Sequence, residues 1–135
     1  MRYAAVYLAT AVPFMLVDMV WLSLMGGRMY RPILGDILLP QPRLWPAAIF
    51  YLLYPLGLLG FAVMPAYHDA SSVKALVLGC AFGFFTYATY DLTNQATLRN
   101  WTTLLSFLDV LWGSALAAFC AYFGYIASDR LLATP

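Results

Sequence analysis

Charged residues make up only 10% of this 135-residue chain, against roughly a quarter in an ordinary soluble domain. Another 64% is hydrophobic, and a soluble protein of this length could not hide that much apolar surface. The seven basic residues are scattered and the net charge is +1, so no polybasic stripe addresses nucleic acid or anionic lipid. The two cysteines, Cys80 and Cys120, both fall inside apolar blocks, where a thiol behaves as a small buried hydrophobe. No CxxC or Cys/His spacing suggests a disulfide framework, zinc or haem. The single histidine, His68, stands in the short loop PAYHDASS and reads as a solvated loop residue. The chain also wants a Ser/His/Asp constellation, a glycine-rich phosphate loop and metal-ligand spacing. No catalytic residue, metal or cofactor is therefore assigned, and a bound lipid or pigment is the class of ligand that stays open.

What the chain has in quantity is long apolar runs. Four blocks emerge, at 3–25, 45–67, 73–98 and 102–127. About 20 residues at about 1.5 Å rise cross a hydrocarbon core of about 30 Å, so each block is long enough to span a bilayer. The expected fold is all-α: a single domain of four transmembrane helices in an up-down bundle. Arg2 followed by an apolar run could pass for a cleaved leader. Against that, apolar character resumes past Asp18 as far as Met25, and no small-x-small site ends a short core. Both termini lie on one face with Arg2, Lys74 and Arg130, while Arg28, Arg31, Arg43 and Arg99 lie on the other, a balance that sets no orientation.

The long connection from Gly26 to Leu44 carries Tyr30, Ile33, Leu34, Ile37 and Leu38 at helical spacing. It reads either as a short interfacial helix lying as a lid over that end of the bundle, or as a surface connector broken by Pro32, Pro40 and Pro42. Small residues at Ala75, Gly79 and Gly83 of helix three, and at Gly113, Ala117 and Ala121 of helix four, predict close backbone approach. Pro13 and Pro55 should bend helices one and two and free a carbonyl at each bend.

Three aspartates lie inside these spans although a charged Asp near a helix centre costs about 2.5 to 3.5 kcal/mol on insertion. Asp18 precedes Met25 by seven residues, Asp91 precedes Leu98 by seven and Asp109 follows Thr102 by seven. All three are thus expected roughly 10 Å inside the loop-side end, at one level. In an antiparallel hairpin, facing positions add to a constant, and the constant that pairs Asp91 with Asp109 also pairs Cys80 with Cys120. Asp18 and Asp109 each open a D-x-x-W pattern, with Trp21 and Trp112 one turn away, and Tyr51 and Tyr54 echo Tyr87 and Tyr90. The polar layer is assigned to Asp18, Trp21, Tyr54, Tyr87, Asp91, Asn94, Asp109 and Trp112. Trp45 and Trp101 are expected in the interfacial aromatic belts.

Three acids packed together cannot all ionise in a low-dielectric site, so at least one should be neutral near pH 7. Hydrogen-bonded glue between helices is the bland reading of such a layer. The leading functional reading is a non-enzymatic accessory or assembly subunit, or a binder of a small hydrophobic ligand. The alternatives are a proton- or cation-coupled transporter working as an oligomer and an intramembrane enzyme of lipid metabolism. Expected partners are the bilayer and either other membrane proteins or further copies of the chain, with no nucleic acid.

The chain carries an ordered series of motifs: YLAT, D-x-x-W-L, YRPILGDILLPQP, FYLLYPLGL, TYATYDLTNQATL and D-x-x-W-G. This series resembles a family of small bacterial membrane proteins catalogued only as a domain of unknown function. The resemblance runs over nearly the whole chain and implies a four-helix, multi-pass protein of the bacterial inner membrane, without an activity to carry across. Gln95 departs from the apolar residue that the resemblance leads one to expect, which makes it a weak site candidate.

Overall fold

The computed structural model describes residues 1–132. Four helical rods, Arg2–Ile37, Leu44–His68, Ser72–Thr97 and Thr103–Leu132, are each long and apolar enough to cross a membrane. The rods follow the four apolar blocks of the sequence, and the protein is an all-helical, multi-pass membrane protein. Helix four is the hub: eleven of its residues are buried, whereas the Leu44–Leu58 part of helix two buries only Pro55 and Leu58. The reason lies in side-chain size. Helix four offers Gly113, Ala117, Ala121 and Gly124 to its neighbours, while helix two presents Trp45, Phe50, Leu53 and Leu56 outward to lipid.

Helices three and four set the register of everything else. A Cβ at Gly79 would meet the Ala121 Cβ at 2.7 Å, and one at Gly83 would meet the Ala117 Cβ at 2.8 Å and the Gly113 carbonyl oxygen at 2.2 Å. The Tyr87 ring lies against Gly113, 2.2 Å from where a Cβ would stand. Gly79 with Ala121, Gly83 with Ala117 and Tyr87 with Gly113 are steps of one antiparallel ladder, four residues apart, and Asp91 with Asp109 is its next step. The thiols share the constant but stand one residue off this stripe. Cys120 is buried in the core and Cys80 is exposed.

The loop-side end is capped by an extension of helix one. The helix does not stop at Met25: it passes through one wider turn, Gly26–Tyr30, and continues over Arg31–Leu34 into a tight last turn, Gly35–Ile37. Gly35, at φ +55°, then releases the chain. Met29 and Leu34 are buried with Trp101 and Leu105, so the segment from Tyr30 is helical and acts as a lid, but as a continuation of helix one. Asn100 in the loop between helices three and four donates to the Leu34 carbonyl at 3.3 Å and fastens the lid. Trp101 is turned inward, 8% exposed, with its indole N–H on Ser106 at 3.1 Å, and so does not stand in an outer belt as Trp45 does at 68% exposure. Ser106 in turn donates to Gln95 Oε1, and Gln95 Nε2 donates to Thr103, both at 2.8 Å. Gln95 therefore clasps the hairpin and takes no part in the acid layer.

The proline of helix two carries compensation. Helix two widens by one turn at Leu59–Val63, just past Pro55, and the Tyr7 hydroxyl donates to the Leu52 carbonyl at 3.0 Å. At the opposite end Lys74 pairs with Asp69 and holds that exposed carboxyl below its ordinary value. A depressed carboxylate lends stability above the ordinary Asp range and loses it as the pH falls through the folded-state value. Because Asp69 is fully solvated, this contribution is screened and small.

Candidate functional site

Two of the three acids, Asp18 and Asp109, each anchor a hydrogen-bonded group, and a pair of stacked indoles joins the groups. Asp18 accepts from the Tyr51 hydroxyl at 2.7 Å and from the Trp112 indole N–H at 3.3 Å. Asp109 accepts from the Tyr30 hydroxyl at 2.5 Å, and that same hydroxyl accepts the Trp21 indole N–H at 3.0 Å. The two D-x-x-W patterns are therefore crossed. The tryptophan of helix four serves the aspartate of helix one directly, and the tryptophan of helix one serves the aspartate of helix four through Tyr30. Between them Trp21 and Trp112 stack, with centroids 4.2 Å apart and planes 9° from parallel.

Local geometry makes the crossing work. A D-x-x-W step puts both side chains on one face of a helix, one turn apart, so each helix presents an acceptor and an indole side by side. Opposing two such faces antiparallel sets each indole beside the other helix's acid. The wider turn at Gly26–Tyr30 then rotates the end of helix one enough for Tyr30 to reach back over the stack. Asp18 is thus bonded by a residue one turn beyond Asp109 along helix four.

Asp91 differs from the other two. It is wholly buried, and among the described residues neither carboxyl oxygen has a hydrogen-bond partner. Asp18 and Asp109 are each 5% exposed and each supplied with donors. Burying a carboxyl without a partner is among the costlier things a fold can do, whether in a bilayer or in a protein core. Two acids of the layer are thus tied into the bundle and the third is held but not tied.

Other expected site residues fall to the side. Tyr54 shares a hydrogen bond with Thr86 at 3.1 Å and stacks on Phe14 with centroids 4.7 Å apart, so it belongs to an aromatic cluster of helices one, two and three. Tyr87 contributes its ring, edge-on to Tyr54 and flat on Gly113. Asn94 lies half-buried one turn from Asp91, and no hydrogen bond among the described residues joins its amide to the three acids. The residues that sequence reasoning left out are the two phenols that bind the acids, Tyr51 and Tyr30. Tyr51 was visible as the partner of Tyr54 in the FYLLY echo. Tyr30 had no signal while the segment was read as separate from helix one.

The fold and its motifs can now be set beside known families. A family described as predicted membrane protein, DUF2177, matches residues 3–126. The chain belongs to this family. The match runs from the start of helix one to within helix four and takes in all three acids, both D-x-x-W patterns and the lid. No curated protein and no solved structure matches the chain. Membership of DUF2177 therefore agrees with the four-span membrane architecture, and the chemistry of the site has to be read from its residues.

A groove opens beside the layer. It runs between helices one and two, is open on its outer side with a volume of about 540 Å³, and is lined by small residues, Ala11, Ala47 and Ala48, as well as by the larger Leu8, Met15 and Leu52. The Tyr51 ring lines it, and the Tyr51 hydroxyl is the one that donates to Asp18.

Proposed function

We propose that this is a non-enzymatic, multi-pass protein of the bacterial inner membrane that binds a hydrophobic small molecule, such as a lipid or pigment, between helices one and two. The observation that carries the reading is the double position of Tyr51, whose ring lines the groove while its hydroxyl is fixed to Asp18. The groove volume of about 540 Å³ falls within the range of roughly 300 to 1,000 Å³ typical of small-molecule sites. Its alanines leave room for an apolar chain beside the backbones, and Met15 and Met19 supply side chains that adapt to the occupant's shape. The Asp18–Tyr51–Trp112 group holds one wall rigid, so the occupant meets a prepared surface and little ordering is lost on binding.

The test is purification of the full chain in mild detergent followed by native mass spectrometry. A small molecule of reproducible mass is expected to remain bound. Ala47→Trp should lower its occupancy by about tenfold or more while the protein stays folded, because Ala47 is a lining residue outside the buried core. Retention of the same molecule by a folded Ala47→Trp variant would contradict the reading. A stoichiometric second protein in place of a small molecule would overturn it in favour of an accessory subunit.

A further inference from the structure

Asp91 is the one buried acid that neither holds the bundle together nor lines the groove. Its side chain is 0% exposed, and both oxygens are without a hydrogen-bond partner among the described residues. The ladder of Gly79, Gly83 and Tyr87 places it on the stripe that faces helix four, opposite Asp109. The charge that acts on it is that of Asp109, whose own position is fixed by the Tyr30 hydroxyl from the lid. The Trp101 indole lies beside it but gives its N–H to Ser106. Tyr90, on the same helix, is the remaining titratable neighbour. A bare carboxylate in this setting has no counter-charge, and the donor beside it, the Trp101 N–H, is given to Ser106.

We propose that Asp91 is a proton-binding site: it carries an exchangeable proton and faces Asp109, whose own carboxyl is engaged by Tyr30. A proton removes the charge from Asp91, which holds no hydrogen bond that would offset it. Asp109 stays an acceptor, as its bond from Tyr30 requires. A metal cation fits the surroundings poorly. Hard cations such as magnesium and calcium take six or more oxygens. This place supplies two carboxyl groups and one phenol already engaged, and the described residues contain no cluster of three metal-ligating side chains. The site stands apart from the groove, since no groove-lining residue touches Asp91 through a hydrogen bond. It therefore holds or fails independently of the binding function proposed above.

The wild-type protein tests the idea without any variant that could misfold. Dicyclohexylcarbodiimide attacks carboxyl groups in apolar surroundings only when they carry a proton, and the adduct is located by peptide mass spectrometry. Treatment of the full chain in lipid vesicles is expected to modify Asp91 about tenfold more than Asp18 or Asp109, which act as acceptors in the same molecule. Modification should rise as the pH is lowered and should be insensitive to sodium at constant ionic strength. Asp91→Asn should lose the adduct altogether. Equal modification of all three acids, or none at Asp91 at any pH, would overturn the proposal. Protection by sodium would overturn it too, in favour of a metal-cation site.

Discussion

Gly83→Val is expected to remove the folded protein from a detergent extract almost entirely. The first atom of any side chain at this position would stand 2.2 Å from the Gly113 carbonyl oxygen and 2.8 Å from the Ala117 Cβ, so the obstacle is backbone and cannot swing aside. Relief requires helices three and four to separate along their whole ladder. That would pull Tyr87 off Gly113 and Asp91 away from Asp109. Overpacking of a well-packed core typically costs about 1 to 3 kcal/mol, and a clash with the Gly113 backbone belongs at or above the top of that range. Total stabilities are only about 5 to 15 kcal/mol, so the loss should appear as aggregation on size exclusion and not as a modest shift of the unfolding midpoint. Gly60→Ala is the matched control. No atom lies within 4 Å of a Cβ there, and the substitution should leave yield unchanged.

Asp109→Ala is expected to be the most damaging change within the polar layer. The Tyr30 hydroxyl loses its acceptor, and the lid loses its polar attachment to helix four. Hydrogen bonds to charged groups contribute about 1.5 to 3 kcal/mol, and a stranded buried donor adds its own desolvation cost. A double-mutant cycle separates this from the cavity left by the carboxyl. Tyr30→Phe should cost about 1 to 2 kcal/mol in the parent and less in the Asp109→Ala background, where the bond to Asp109 is already gone and only the bond from the Trp21 indole remains to be lost. Independent costs in the two backgrounds would mean that Tyr30 and Asp109 do not act together.

Much of this was legible in the sequence, for identifiable reasons. A bilayer demands long apolar helices, so four blocks of hydrophobic residues translate directly into four spans. Small residues four apart on helices three and four announce a close crossing, and the antiparallel constant drawn through Asp91 and Asp109 is the one that the glycine contacts obey. The rotation about the helix axes was not legible, and it separates the outcomes of two pairs that share the constant. Asp91 falls on the stripe facing helix four, while Cys80, one residue off it, faces out. Helix ends were the weakest point. Gly26 and Gly27 look like a stop, yet both adopt helical geometry in a wider turn, and this carries Tyr30 over the acids.

The hydrogen-bond partners could not have been read from composition. Tyr51 and Tyr54 are equivalent as sequence, one turn apart, but the first meets Asp18 and the second meets Thr86 and Phe14. Three aspartates that look alike in the chain come out unlike in the fold. Which of them is spoken for depends on long-range contacts, 94 positions apart for Trp112 with Asp18 and 79 for Tyr30 with Asp109.

That division of labour, two acids that tie the helices and one that is kept free, is the central claim. It is tested most directly by the thermal unfolding midpoint of Asp91→Ala in detergent, measured beside Asp18→Ala and Asp109→Ala. Removing two unpartnered buried oxygens should leave the midpoint of Asp91→Ala equal to the parent or above it, while the other two variants fall well below. A fall for Asp91→Ala as deep as that of Asp109→Ala would show that Asp91 is structural glue like its neighbours, and would contradict the account.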